Sequence, residues 1–177
     1  MSENWLLGLH WGIKKSFLDY VARMPDGRGI FRDGATLADG SIAVFEPDVE
    51  AEHPEAADAD LFLAFHGDIH FSGHFGMLNV RIADPWITMR GSQAEMTVLD
   101  PYHPDEGPRL PLVRFTLESR KTEDDMRIWL GTEVLLAQEA TGLFNDVYRV
   151  GEQFESIAIL LRATNATAYG NAKIGIS

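Results

Sequence analysis

With 177 residues, 45% of them hydrophobic and 24% charged, the chain is long and apolar enough to bury one core, which excludes a disordered segment and makes one domain over 1–177 the expectation. Its 27 acidic residues against 15 basic ones give a formal net charge of −12, which repels nucleic acid and anionic membrane surfaces. No cysteine is present, so disulfide frameworks and thiolate metal sites are excluded.

The opening residues, MSENWLLGLHWGIKKSF, lack a basic run, a long apolar run and a small-residue cleavage site, and no apolar stretch in the chain approaches bilayer length. As written, the sequence reads as cytoplasmic and without a membrane span. From Trp11 to Met24 the apolar residues Ile13, Phe17, Tyr20, Val21 and Met24 recur at three- and four-residue spacing, with Lys14, Lys15, Asp19 and Arg23 off that stripe. This predicts an amphipathic helix that stops at Pro25 and the turn pair Asp26 and Gly27.

Short strand-like segments follow: Gly29 to Arg32, Ser41 to Phe45, Asp60 to Phe75, Met77 to Ile82, Trp86 to Arg90 and Glu95 to Leu99. A Pro- and Gly-rich turn, DPYHPDEGPR, leads into the alternating strand LPLVRFTLE. In QEATGLFNDVYRVG, the spacing of Ala140, Leu143, Phe144, Val147 and Tyr148 predicts a second short helix. The tail from 163 to 177 is small and polar and reads as loosely held. The expected fold is mainly β with two helices: two packed antiparallel sheets, sandwich-like, with the first helix at the N-terminus. No internal repeat or linker divides the chain.

Between Asp33 and Val80 there is no Lys or Arg, while ten acids and four of the six histidines fall there. Seven of those acids lie from Glu46 to Asp60, which reads as a solvated acidic loop, since the glycine and terminal Glu of an EF-hand are missing. In FHGDIHFSGHFG, His66, His70 and His74 would share a face of one strand, a candidate transition-metal site. Alternate same-face positions lie about 14 Å apart along an ideal strand, however, so His66 and His74 would meet at one ion only across a bend at Gly67 or Gly73. The alternative is that His66 and His70 simply face solvent. HExxH, GxSxG, Walker and GxGxxG motifs are all lacking.

The segments LHWGIKKSFLDYV, DGAT, LAFHGDIHFSGHFGML, ADPWITMRG and LLAQEATGLFNDVYRVG, the last leading into FESIAIL, occur in an order that resembles the HtaA domain of actinobacterial haem-uptake proteins, from about Leu9 to about Ile159. The resemblance implies a non-enzymatic binder of one ferric haem b, serving haem acquisition, storage or transfer with a donor or acceptor protein. It implies Tyr20 as the axial ligand of the iron, His74 as hydrogen-bond partner of the tyrosine oxygen, and Tyr148 as a third pocket residue.

The residues themselves admit this reading without requiring it. Tyr20 on the apolar stripe would be buried, either as a structural tyrosine or as a ligand whose hydroxyl needs a partner. Phenol ionises near pH 10, so a phenolate ligand at neutral pH needs ferric charge and a donor such as His74. Ser16, one turn before Tyr20, could meet a haem propionate or bond to its own backbone. Two other readings stay open. One is an enzyme, either haem-degrading or a hydrolase with a His66, His70 and His74 metal; the other is a β-rich module for a different apolar ligand. The sequence departs from the resemblance in two ways: members of that family are often exported, anchored and repeated, and Phe75 stands between His74 and Gly76 where a polar residue is expected. The oligomeric state is open.

Overall fold

A computed structural model describes residues 6–53, 56–105, 107–122 and 125–163, so the reading of the C-terminal tail falls, beyond Ala163, outside the described residues. Turn residues cut the chain into twelve described strands: β1 (Gly8–Trp11), β2 (Arg28–Arg32), β3 (Ala35–Ala38), β4 (Ile42–Pro47), β5 (Leu61–His66), β6 (Asp68–Gly73), β7 (Leu78–Ala83), β8 (Trp86–Arg90), β9 (Gln93–Val98), β10 (Leu110–Lys121), β11 (Met126–Leu136) and β12 (Ile157–Arg162). The helix α1 spans Lys15–Arg23.

The expected sandwich of two sheets is wrong. Eight strands run β1-β12-β11-β10-β9-β8-β5-β4, and β4 closes back onto β1, so the large sheet is an antiparallel barrel with β3 appended outside β4. The closing strand is β1, of which the helix predicted from Trp11 to Met24 took only Trp11 and left Gly8 to His10 unassigned; the helix itself begins later, at Lys15. Leu9 lies opposite Ile159 on one side and Phe45 on the other, and His10 opposite Ala158 and Val44. A strand paired on both edges removes the free edges a sandwich would leave, and fills the interior with the inward half of every strand. Leu9, Trp11, Phe45, Leu63, Ile87, Met96, Phe115 and Ile159 are accordingly buried.

The segment Asp60 to Phe75 is two strands rather than one. Gly67, at φ +150, ends β5 and redirects the chain into β6; a Cβ there would lie 2.7 Å from the Ala35 amide nitrogen, so a side chain does not fit. β6 then joins β2 and β7 in a separate three-stranded sheet beside the barrel. Asp68 stitches that sheet: it is only 5% exposed, and both its oxygens accept from Arg81 on β7 and Arg32 on β2 at 3.0–3.2 Å.

The helix α1 buries Phe17 and Val21 against this sheet, with Phe17 edge-on to Phe71 of β6 at 5.2 Å and to Phe144 at 5.4 Å. The second predicted helix is a 3-10 stretch, Gln138–Phe144, ended by Asn145 and Asp146 at φ 54 and 56. Asn and Asp accept the left-handed region more readily than other side chains, so the chain reverses there. Tyr148 therefore sits on the loop beyond, not on a helix. No helix among the described residues is long and apolar enough to cross a membrane.

Candidate functional site

Between α1, the turn joining β6 to β7, and the loop after the 3-10 stretch lies an apolar groove of about 430 Å³. Phe17, Leu78 and Phe144 are buried at its base. Tyr20 and His74 bring it polar atoms, and Tyr148 and Asn145 line it from the far loop.

The α1 register sets the tyrosine. Phe17, Val21 and Met24 take the buried face, and Tyr20 falls on its flank, 47% exposed, which corrects the expectation of a buried ring. Its hydroxyl oxygen lies 2.5 Å from His74 Nε2. In the neutral pair either atom can supply the proton, but an ionised phenol only accepts, so the imidazole N–H would then be the donor. His74 projects from a tight 3-10 turn, His74–Gly76, in which His74, Phe75 and Gly76 have φ of 48, 56 and 89. Such backbone throws the next side chain outward: Phe75 is 100% exposed, and Met77 is 80% exposed. Across the groove Val147 is 72% exposed, and Asn145 Nδ2 donates to the Met77 carbonyl at 3.5 Å. Apolar side chains gathered in water around one concavity mark a binding surface.

Tyr148 packs on Phe144 and Phe154 with the Lys14 ammonium 5.1 Å above its ring. Burial pushes its phenol above the ordinary value, against a hydrogen bond with Ser16 that pulls it down. Tyr20, His74 and Tyr148 thus share one groove, while Ser16 is exposed, near Tyr148, and does not line it.

The other two histidines go elsewhere. His66 lies on the barrel, 3.6 Å from Glu46 and 3.9 Å from Asp48, and His70 bonds to Asn79 in the small sheet. Among the described residues no three His, Cys, Asp or Glu side chains gather to hold a metal ion. A larger depression, about 840 Å³, is rimmed by Asp48, Glu52, Asp84 and Glu95 around an Arg109 that already stacks on Trp86 at 4.0 Å. Phe75, Met77, Val147 and Asn145 were not legible as site residues, because they lie in or just after two turns with left-handed residues, His74–Phe75 and Asn145–Asp146, that no periodicity reports; only the unexpected residue type at Phe75 stood out.

A closed antiparallel barrel with a helix-flanked apolar groove and a paired phenol and imidazole is thus the kind of protein this sequence encodes. The chain belongs to the HtaA family, described as Htaa, whose pattern matches residues 7–159. Among solved structures it is similar to the C-terminal domain of HtaA from Corynebacterium glutamicum, with 20% identity and a TM-score of 0.62 over 87% of this chain and 96% of that one. The N-terminal domain of the same protein gives 23% identity and 0.62, over 85% and 94%. The haem-binding protein HtaB of that organism gives 16% and 0.57, over 86% and 90%. At these identities the likeness is one of fold. No curated protein matches the sequence.

Proposed function

We propose that the chain binds one ferric haem b in the groove, with Tyr20 as axial ligand, and that it accepts, stores or passes on haem rather than transforming it. The observation that carries this is the Tyr20 hydroxyl, open to an apolar groove and 2.5 Å from an imidazole nitrogen. The residues present suit the group. The phenol oxygen of the half-exposed Tyr20 has lone pairs left beside its bond to His74, the base of Phe17, Leu78 and Phe144 suits an apolar macrocycle, and the volume lies in the ordinary range for small-molecule sites. Bound haem would supply a ferric centre, a hard ion that favours anionic oxygen over neutral donors. His74 would hold the ionised oxygen by donation, and Tyr148 would close the groove from the opposite loop. Membership of the HtaA family and the likeness to haem-binding HtaB support this reading.

Hemin titration of His74→Ala tests it. The variant loses one hydrogen bond to an ionised oxygen, about 1.5–3 kcal/mol, and should bind roughly ten- to hundred-fold more weakly than wild type. Its spectrum should also become pH-sensitive near neutrality, because the phenol is harder to ionise without the donor. Wild-type affinity with a pH-independent spectrum would remove His74 from the site. Replacing His66 and His70 together with Ala should leave the titration within about two-fold of wild type, since neither lines the groove. A loss comparable with that of Tyr20→Ala would restore the histidine cluster as a metal site.

A further inference from the structure

The Tyr20–His74 pair joins two segments that are 54 residues apart, and its length depends on how the histidine's turn is held against the end of α1. That turn is costly by itself. His74 and Phe75 both carry a Cβ in the left-handed region, where each non-glycine residue loses about 1–2 kcal/mol, so something must hold them there. The β6–β7 ladder ends at Gly73 opposite Leu78, and within the turn Met77 N–H donates to the His74 carbonyl at 3.1 Å. The His74 and Phe75 N–H groups point away from that ladder, toward the segment after α1.

There they meet Asp26. His74 N–H donates to Asp26 Oδ1 at 3.1 Å and Phe75 N–H to Oδ2 at 2.8 Å, one oxygen for each of two successive amides. Successive amides aimed at one carboxylate form an anion-binding concavity. The Phe75 amide above all, with that of His74, holds the Asp26 carboxyl below its ordinary value, so it is ionised at neutral pH. Independently, the two turns touch backbone to backbone. A Cβ on Gly73 would lie 2.7 Å from Met24 Sδ and 3.5 Å from Gly27 Cα, and a Cβ on Gly27 would lie 1.9 Å from the Val21 carbonyl oxygen. The Gly73 backbone is thus packed against Met24 and Gly27, and Gly27 in turn lies tight against the end of α1.

We infer that Asp26 is a positioning residue for the Tyr20–His74 pair: from the turn that ends the tyrosine's helix, its carboxylate clamps both amides of the histidine's turn and so sets the imidazole against the phenol. The ring of contacts runs from Tyr20 along α1 to Asp26, across to His74 and back to Tyr20. The inference concerns the protein without ligand, and it bears on haem binding only through the reading of the groove given above.

The test compares wild type, Asp26→Ala, Asp26→Asn, His74→Ala, Tyr20→Phe and the double variant Asp26→Ala/His74→Ala. In the protein without hemin, the ¹⁵N resonance of His74 Nε2 reports the pair, and Tyr20→Phe gives its broken position. Asp26→Ala should move that resonance most of the way to the Tyr20→Phe value, and Asp26→Asn, which keeps one acceptor oxygen, should fall between. Hemin titration of Asp26→Ala should weaken roughly ten- to hundred-fold, as for His74→Ala, and the double variant should be no weaker than His74→Ala alone. A wild-type resonance in Asp26→Ala, or additive losses in the double variant, overturns the inference. Should circular dichroism show Asp26→Ala unfolded, Asp26→Asn carries the test, and a wild-type resonance there overturns it equally. A shifted resonance in a protein that ignores hemin keeps the positioning role and removes only the haem reading.

Discussion

Tyr20→Phe should abolish specific hemin binding while leaving the protein folded. The substitution removes a single oxygen from a ring that is already half exposed, so the packing of Phe17, Val21 and Met24 beneath α1 is untouched and stability should stay within about 0.5 kcal/mol. What disappears is the only phenol oxygen paired with the groove's imidazole. Tyr148 keeps its hydroxyl, but burial holds that phenol above its ordinary value, so it is poorly suited to substitute as an ionised ligand. The expected result is hemin affinity at least a hundred-fold lower, with any residual binding nonspecific. Titration followed by absorption, alongside circular dichroism and thermal melting, separates loss of the ligand from loss of the fold. Wild-type affinity would remove Tyr20 from the site.

The largest stability effect should come from Asp68→Ala. This carboxylate is the only buried charged side chain recorded among the described residues, and Arg32 and Arg81 both converge on it across three strands. Removing it leaves the Arg81 guanidinium without its hydrogen-bond acceptor and Arg32 with only the exposed Asp33, 3.7 Å away. Breaking a fully buried pair costs about 3–5 kcal/mol, and because Arg32 is more than half exposed a loss of roughly 2–4 kcal/mol is expected. For a chain of this size that is roughly 5–15 °C in Tm. Burial by itself pushes the Asp68 carboxyl up, and the hydrogen bonds from Arg81 and Arg32 outweigh it and leave it below the ordinary value of 3.8. A carboxyl depressed in the folded state stabilises fully above its unfolded value and progressively less as pH falls through the folded one. Wild type and Asp68→Ala should therefore differ most near neutrality and converge in acid below about pH 3.8. Melting curves of both proteins from neutral pH downward check this; a constant difference across the range would contradict it.

Most of the strands were legible because each is bounded by a turn residue and rich in β-branched or aromatic positions. The barrel was not. Its closure depends on Gly8–Trp11, a segment of four residues that is too short to show a period and lies next to the helical stripe that begins at Ile13. Gly67 was legible as a possible bend, but not that the alternating run passes there from one sheet into another. The site divides along a similar line. Tyr20, His74 and Tyr148 came from ordered motifs, and the helical spacing around Tyr20 gave its side of α1, although not its exposure. Asp26 read only as part of a turn, because its function is to accept from two amides 48 and 49 residues away, a contact without local signature. The predicted helix carrying Tyr148 failed at Asn145 and Asp146, where turn chemistry overrides spacing.

The measurement that bears most directly on the whole account is the absorption spectrum of the wild-type protein during hemin titration at neutral pH. The account predicts saturation at one equivalent per chain, with a high-spin ferric spectrum of the tyrosinate type. A low-spin spectrum of the bis-histidine type, or a protein that ignores hemin, would contradict it.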